Sequence, residues 1–177
     1  MTGGAEPIPA GGRPTPFEGF YELHYRPVLA LAVVLSGNRQ VAEEVTQEAF
    51  LAAYRDWERV GRLDHAVAWV RRVVANKAAS RFRRVAAESR ALVRLGKDDS
   101  VGGDPLDAVL ADQVWEAVRR LPRRQAQVVA LTYLDGLSRR EVAQVLGCSE
   151  ETVKTHLERG RARLARVLSD ADNEDGS

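Results

Sequence analysis

The sequence predicts an all-α protein made of two small helical modules joined by a flexible acidic linker. Three observations carry that expectation. Apolar residues recur at a spacing near 3.6 through most of the 177 residues, and strict apolar–polar alternation is absent. The stretch KDDSVGGDP, residues 97–105, interrupts the pattern with two adjacent glycines, a proline and three acids. Charge is laid out in blocks: residues 59–97 carry a net +9 and residues 117–168 a net +6, with a net −6 over residues 98–116 between them. The total of +1 conceals this arrangement.

Residues 1–16 hold Gly, Pro and Ala, with no charged start followed by an apolar run, so they read as a flexible tail and not as a secretory signal. A first helix is expected over residues 18–35, from Phe20, Leu23, Val28, Leu31, Val34 and Leu35. Pro27 predicts a kink or break near Arg26, because it lacks the helical N–H donor. Ser36-Gly37-Asn38 is a stop signal. The second helix, residues 40–58, places Val41, Val45, Ala49, Ala52 and Ala53 on one stripe and Glu43, Glu44, Gln47 and Glu48 on another face. Residues 59–64 contain Gly61 and no period, so they form a loop, with Asp64 as an N-cap. The third helix spans residues 65–94, with a break near Arg84. Val67, Val70, Val73, Val74 and Ala78 face its core, and Arg72, Asn76 and Arg83 share a polar face with Arg71 nearby. Beyond the linker, helices are expected over residues 106–121, 124–134, 138–146 and 150–168. The domain limits are therefore a tail 1–16, a first module 17–95, a linker 96–107, a second module 108–168 and an acidic disordered tail 169–177.

Several functions are excluded. His24, His65 and His156 are dispersed and there is one cysteine, Cys148, so no zinc-ligand spacing exists and no metal or cofactor is expected. No Gly-rich Lys-Ser/Thr phosphate loop and no Ser-His-Asp or Cys-His set points to an enzyme. Cys148 reads as a small buried residue or as a redox-sensing thiol. A single cysteine suits a reducing, cytoplasmic setting. The longest apolar run, residues 28–35, is far short of the roughly 20 residues of a membrane span.

The segment LSRREVAQVLGCSEETVKTHLERGRARL is the most specific signal. Ser138 with Glu141 is a capping box, Gly147 can end the helix in the left-handed conformation, and Ser149 caps the next helix with Thr152 at its third position. A short helix, a glycine-centred turn and a longer basic helix make a helix-turn-helix; the alternative, an ordinary αα-hairpin, is argued against by Ser-Arg-Arg-Glu before the first helix and Thr-Val-Lys-Thr in the second. In a helix-turn-helix the outer face of the second helix reads base edges in the major groove. Here that face offers Glu151, Lys154, Thr155, Glu158 and Arg159, while Arg161, Arg163 and Arg166 suit phosphates. A stand-alone regulator would use the same motif as a dimer.

The stretch LPRRQAQVVALTYLDG followed by that segment resembles region 4 of bacterial sigma-70-type factors, in particular the small extracytoplasmic-function group of actinobacterial type. AEEVTQEAFLAAYRDW, residues 42–57, is similar to region 2.1–2.2, and AWVRRVVANKAASRFRR, residues 68–84, to region 2.3–2.4. The resemblance covers about residues 17–168, in the family's order. It implies a non-catalytic specificity subunit that binds core RNA polymerase, recognises the −35 and −10 promoter elements and promotes DNA melting. Polymerase contacts would involve the β′ clamp helices and the β flap. By position, Glu44, Gln47, Glu48, Phe50 and Leu51 would meet the clamp helices, although Phe50 and Leu51 could equally be core. Val60 and Arg62 in the loop, with Arg72, Asn76, Ser80 and Arg83 on the third helix, would hold the −10 single strand. Thr152 joins the −35 set. Val60 stands where many members carry an aromatic, and Ser80 where an acid or amide is frequent. Trp69 reads best as a core anchor. The acidic linker could imitate RNA or be simply solvated. An anti-sigma factor is a further partner that the resemblance implies.

Overall fold

The structure, a computed structural model, describes residues 16–91 and 105–174. The expected tail 1–16, except Pro16, and the expected linker 96–107, except its last three residues, lie outside the described residues. Within the described residues there is no strand, and the elements run α1 (Pro16–Ser36), α2 (Arg39–Arg55), α3 (Trp57–Val60), α4 (Ala66–Ala91), α5 (Pro105–Ala111), α6 (Gln113–Arg120), α7 (Arg123–Tyr133), α8 (Arg139–Leu146) and α9 (Glu150–Glu174).

In the first module α1, α2 and α4 pack against one another. Val28, Leu31, Val34 and Leu35 of α1 meet Val45, Ala49 and Phe50 of α2 and Val70, Val74 and Ala78 of α4. Pro27 does not break α1. It lies on the exposed side with Leu23, whose carbonyl would have accepted the missing N–H, so water can satisfy that carbonyl. Asn38 caps α2 by accepting the Val41 N–H at 2.9 Å. The expected single helix 40–58 divides at Asp56, and the short α3 turns Trp57 onto Phe17 and Phe20 at ring separations of 5.1 and 4.9 Å. Gly61 is required there, since a Cβ would come within 2.8 Å of the Trp57 carbonyl. α4 starts at Ala66, one residue later than expected, with the His65 carbonyl accepting from Ala68 at 3.0 Å. It is unbroken at Arg84.

In the second module α6, α7 and α8 pack around α9. The expected helix 106–121 is two elements, because Asp112 turns extended and caps α6 through the Val114 N–H at 2.7 Å. α9 passes Gly160 close to α7, where a Cβ would approach Val129 Cγ2 at 3.0 Å. It runs on to Glu174, so residues 169–174, expected in a disordered tail, are helical. No Gly or Pro intervenes there to stop it. The modules are not separate beads. One contiguous cluster of buried apolar side chains joins them, with α1 and α4 packed on α5, α6, α7 and α8.

Candidate nucleic-acid interface

The helix-turn-helix forms as its local chemistry dictates. Ser138 Oγ accepts the Glu141 N–H at 3.3 Å, and Glu141 Oε2 accepts the Ser138 N–H at 2.8 Å, completing the capping box of α8. Gly147 ends α8 at φ +64°, a conformation that costs a residue with a Cβ. Ser149 Oγ then accepts the Thr152 N–H at 3.1 Å to start α9. Val142, Ala143, Val145 and Leu146 are buried against Val153, so the two helices are held at a fixed angle by apolar contact.

The outer face of α9 is open. Glu151, Lys154, Glu158, Arg159, Arg161, Arg163 and Arg166 are exposed and Thr155 is half-buried. Thr152 is exposed but its hydroxyl is shared with Ser149 at 2.8 Å. Lys154 Nζ lies 3.8 Å from Glu151 Oε1, an exposed pair of little worth that a phosphate or base could displace. His156 sits at the inner edge of this face, and its Nδ1 is buried without a hydrogen bond. Burial, then the cations Arg124 and Arg159, hold it below the ordinary histidine pKa.

The expected single-strand face of α4 is divided. Arg62, Ser80 and Arg83 are exposed, although the Ser80 hydroxyl donates to the Asn76 carbonyl at 2.8 Å. The rest is engaged by the second module. Asn76 Oδ1 accepts from Arg123 Nη2 at 2.7 Å and from Gln127 Nε2 at 3.2 Å. Arg72 is exposed, and its guanidinium lies where a Cβ on Gly147 would collide with it. Arg71 Nε meets Asp135 Oδ2 at 2.8 Å, with side chains only 15% and 3% exposed. Burial pushes the Asp135 carboxyl above the usual aspartate range, against the lowering pull of Arg71. Val60 departs from its expectation: it is wholly buried, because α3 carries it into the core instead of the loop. Trp69 is half-buried and packs on the core cluster, as a helix anchor does.

The α2 face brings together Glu44, Gln47 and Glu48, all exposed, with Leu51 at 48% exposure. Glu44 and Glu48 are not free: Arg81 reaches them at 2.8 and 3.0 Å, and Lys77 donates to Glu48 at 2.6 Å. The Lys77 hydrogen bond holds Glu48 below the usual glutamate range. Phe50 turns inward among Phe20, Tyr21 and Tyr25, so it is core. Tyr54, 61% exposed, takes its place on the outer face and is a residue that sequence reasoning missed. Its signal was available, since 47, 51 and 54 follow the spacing of one helix face. Arg71, Arg119 and Asp135 were also missed as a group, and no local pattern pairs them.

Comparison with known proteins matches residues 20–88 to the family described as sigma-70 region 2, and residues 111–164 to the family described as sigma-70, region 4. The ECF RNA polymerase sigma factor SigM of Mycobacterium tuberculosis is 34% identical over 153 residues, covering 86% of this chain and 76% of that protein. The ECF RNA polymerase sigma factor SigW of Bacillus subtilis is 27% identical over 167 residues, covering 87% of this chain and 89% of its own. Among solved structures, the sigma factor RpoE in complex with the anti-sigma factor NepR from Bartonella quintana shares the fold at a TM-score of 0.63 and 22% identity, covering 86% of this chain and 96% of that one. CnrH, solved in complex with the cytosolic domain of CnrY, gives a TM-score of 0.63 at 25% identity, covering 88% of each chain.

Proposed function

The chain belongs to the extracytoplasmic-function group of the sigma-70 family, and on that premise we propose that it is an alternative sigma factor that directs core RNA polymerase to promoters and assists duplex opening. In this reading α9 enters the major groove at the −35 element. Lys154, Arg159, Glu151, Glu158, Thr155 and Thr152 face the bases, and Arg161 and Arg163 face phosphates. Arg62, Arg72, Asn76, Ser80 and Arg83 receive the unpaired −10 strand, where a protein surface must offset the few kcal/mol of unstacking. Glu44, Gln47, Glu48, Leu51 and Tyr54 dock on the clamp helices, and the second module meets the flap. The chain supplies specificity and no catalytic group, and acts in the cytoplasm with the polymerase. An anti-sigma factor, as recorded with RpoE of Bartonella quintana, is a partner in this scheme.

The observation that carries the reading is the capped α8–Gly147–α9 unit, with an exposed cationic face, in the same chain as the acidic and apolar α2 face. Mixing the purified protein with core RNA polymerase should give a co-eluting complex that yields run-off transcripts from a genome-wide template set. A folded, inhibitor-free protein that neither co-elutes nor supports transcription would overturn the proposal.

A further inference from the structure

The polar side chains on the outer face of α2 are not free rotors. Arg81 of α4 forks to Glu44 Oε2 at 2.8 Å and to Glu48 Oε1 at 3.0 Å, and Lys77, one turn earlier, donates to Glu48 Oε2 at 2.6 Å. Gln47 is hydrogen-bonded with Tyr25 of α1. Leu51 and Tyr54, on the same helix, stand exposed.

Helix geometry explains the ladder. Glu44 and Glu48 are four residues apart, as are Lys77 and Arg81, so each pair stacks along one side of its helix. α2 and α4 pack together with Ala42, Ala49, Ala75 and Ala78 fully buried, and such small side chains bring two helix axes close enough for long ones to cross. Folding stability gains little from it. The four charged side chains are between 30% and 48% exposed, and exposed pairs are weak. Their charges also cancel, so they offer no net field to steer a partner. What the ladder supplies is order. An unanchored exposed glutamate loses rotamers when it binds, and one already held loses fewer. The carboxylates are not saturated. An ionised carboxylate has about four acceptor sites, and the ladder takes one on Glu44 and two on Glu48.

We propose that Lys77 and Arg81 are positioning residues for polymerase docking: from α4 they fix Glu44 and Glu48 so that the carboxylates offer their remaining lone pairs, beside Leu51 and Tyr54, to hydrogen-bond donors on a partner helix. The proposal rests on the polymerase-binding role assigned to α2 above. Charge and orientation predict opposite signs. A face that attracts a basic helix by charge alone gains when Lys77 and Arg81 are removed, because both acids are then uncompensated. A face that depends on orientation loses.

The test measures binding of the full chain to core RNA polymerase for the parent, for Lys77→Ala with Arg81→Ala, for Glu44→Gln with Glu48→Gln, and for all four substitutions together. The alanine pair should melt close to the parent and bind core polymerase about tenfold more weakly. All four substitutions together should cost no more than the glutamine pair alone, because Lys77 and Arg81 act only through those carboxylates. Unchanged or tighter binding by the folded alanine pair, or losses that simply add, would overturn the positioning role. Carboxyl-carbon NMR of the free protein is the control. The Lys77 hydrogen bond chiefly holds Glu48 below the usual glutamate range, so Lys77→Ala should raise its titration; an unmoved titration would overturn the anchoring. Failure of the parent to bind core polymerase, with that rise observed, would overturn the sigma-factor role together with this docking surface and leave the ladder intact.

Discussion

His24 and His156 are the residues whose protonation the fold controls most directly at mildly acidic pH. His24 packs on the Phe20 ring at 4.8 Å, and burial, then Arg71, lowers its pKa. His156 is lowered by burial, then by Arg124 and Arg159. In the unfolded chain both take a proton near the ordinary histidine value of about 6.5, so the unfolded state binds more protons just below it. Stability is therefore lost as pH falls from about 6.5 toward the folded values. The melting temperature should drop between about pH 7 and about pH 5.5, and a His24→Gln, His156→Gln double variant should lose less over that interval; equal slopes would refute the assignment. Asp135 works in the opposite sense. Its folded pKa is raised, so its contribution is present in acid and lost as pH rises through the folded value. At neutral pH its charge is a cost of docking that the surrounding apolar contact offsets.

At the scale of elements, α8 separates stability from recognition. It has eight residues, too few to be helical alone, so its cap and its buried face must hold it. Ser138→Ala should cost about 1 kcal/mol in urea unfolding, through loss of the capping box. Lys154→Ala, one element later, touches only an exposed ion pair. It should leave unfolding unchanged and weaken upstream-element binding by ~1–3 kcal/mol in footprints of the polymerase complex. Loss of stability in the second variant, or of neither property in both, would contradict the division. The capping box, the Gly147 turn and the Ser149 cap were all legible beforehand, because each depends on residues within a few positions. The split of α2 from α3 was not. It depends on Trp57 finding Phe17 and Phe20, residues 37–40 positions away.

At the scale of the molecule, the two modules unfold as one if the cluster of buried side chains is as continuous as it stands. Calorimetry of the free protein should give a single transition, whereas Asp135→Arg should give two. Two transitions in the parent would mean that docking is too weak to couple the modules. The same interface explains why the α4 face divides. Arg62, Ser80 and Arg83 stay exposed, while Arg71 is paired with Asp135 after α7 and Asn76 with Arg123 of α7.

The amino-acid sequence by itself determined the helical class, the two modules, the helix-turn-helix and its exposed cationic face, because periodicity and caps are set by neighbours three or four positions apart. It also carried the family, through motifs whose spacing is local. The tertiary structure alone decided which polar residues are spent inside. Arg71 pairs across 64 positions, Asn76 across 47 and Arg119 across 85. Val60 is buried for a like reason, since a four-residue helix turns it inward. An arginine facing solvent and one facing a partner module share the same local pattern. Only the docking of two complete apolar surfaces separates them.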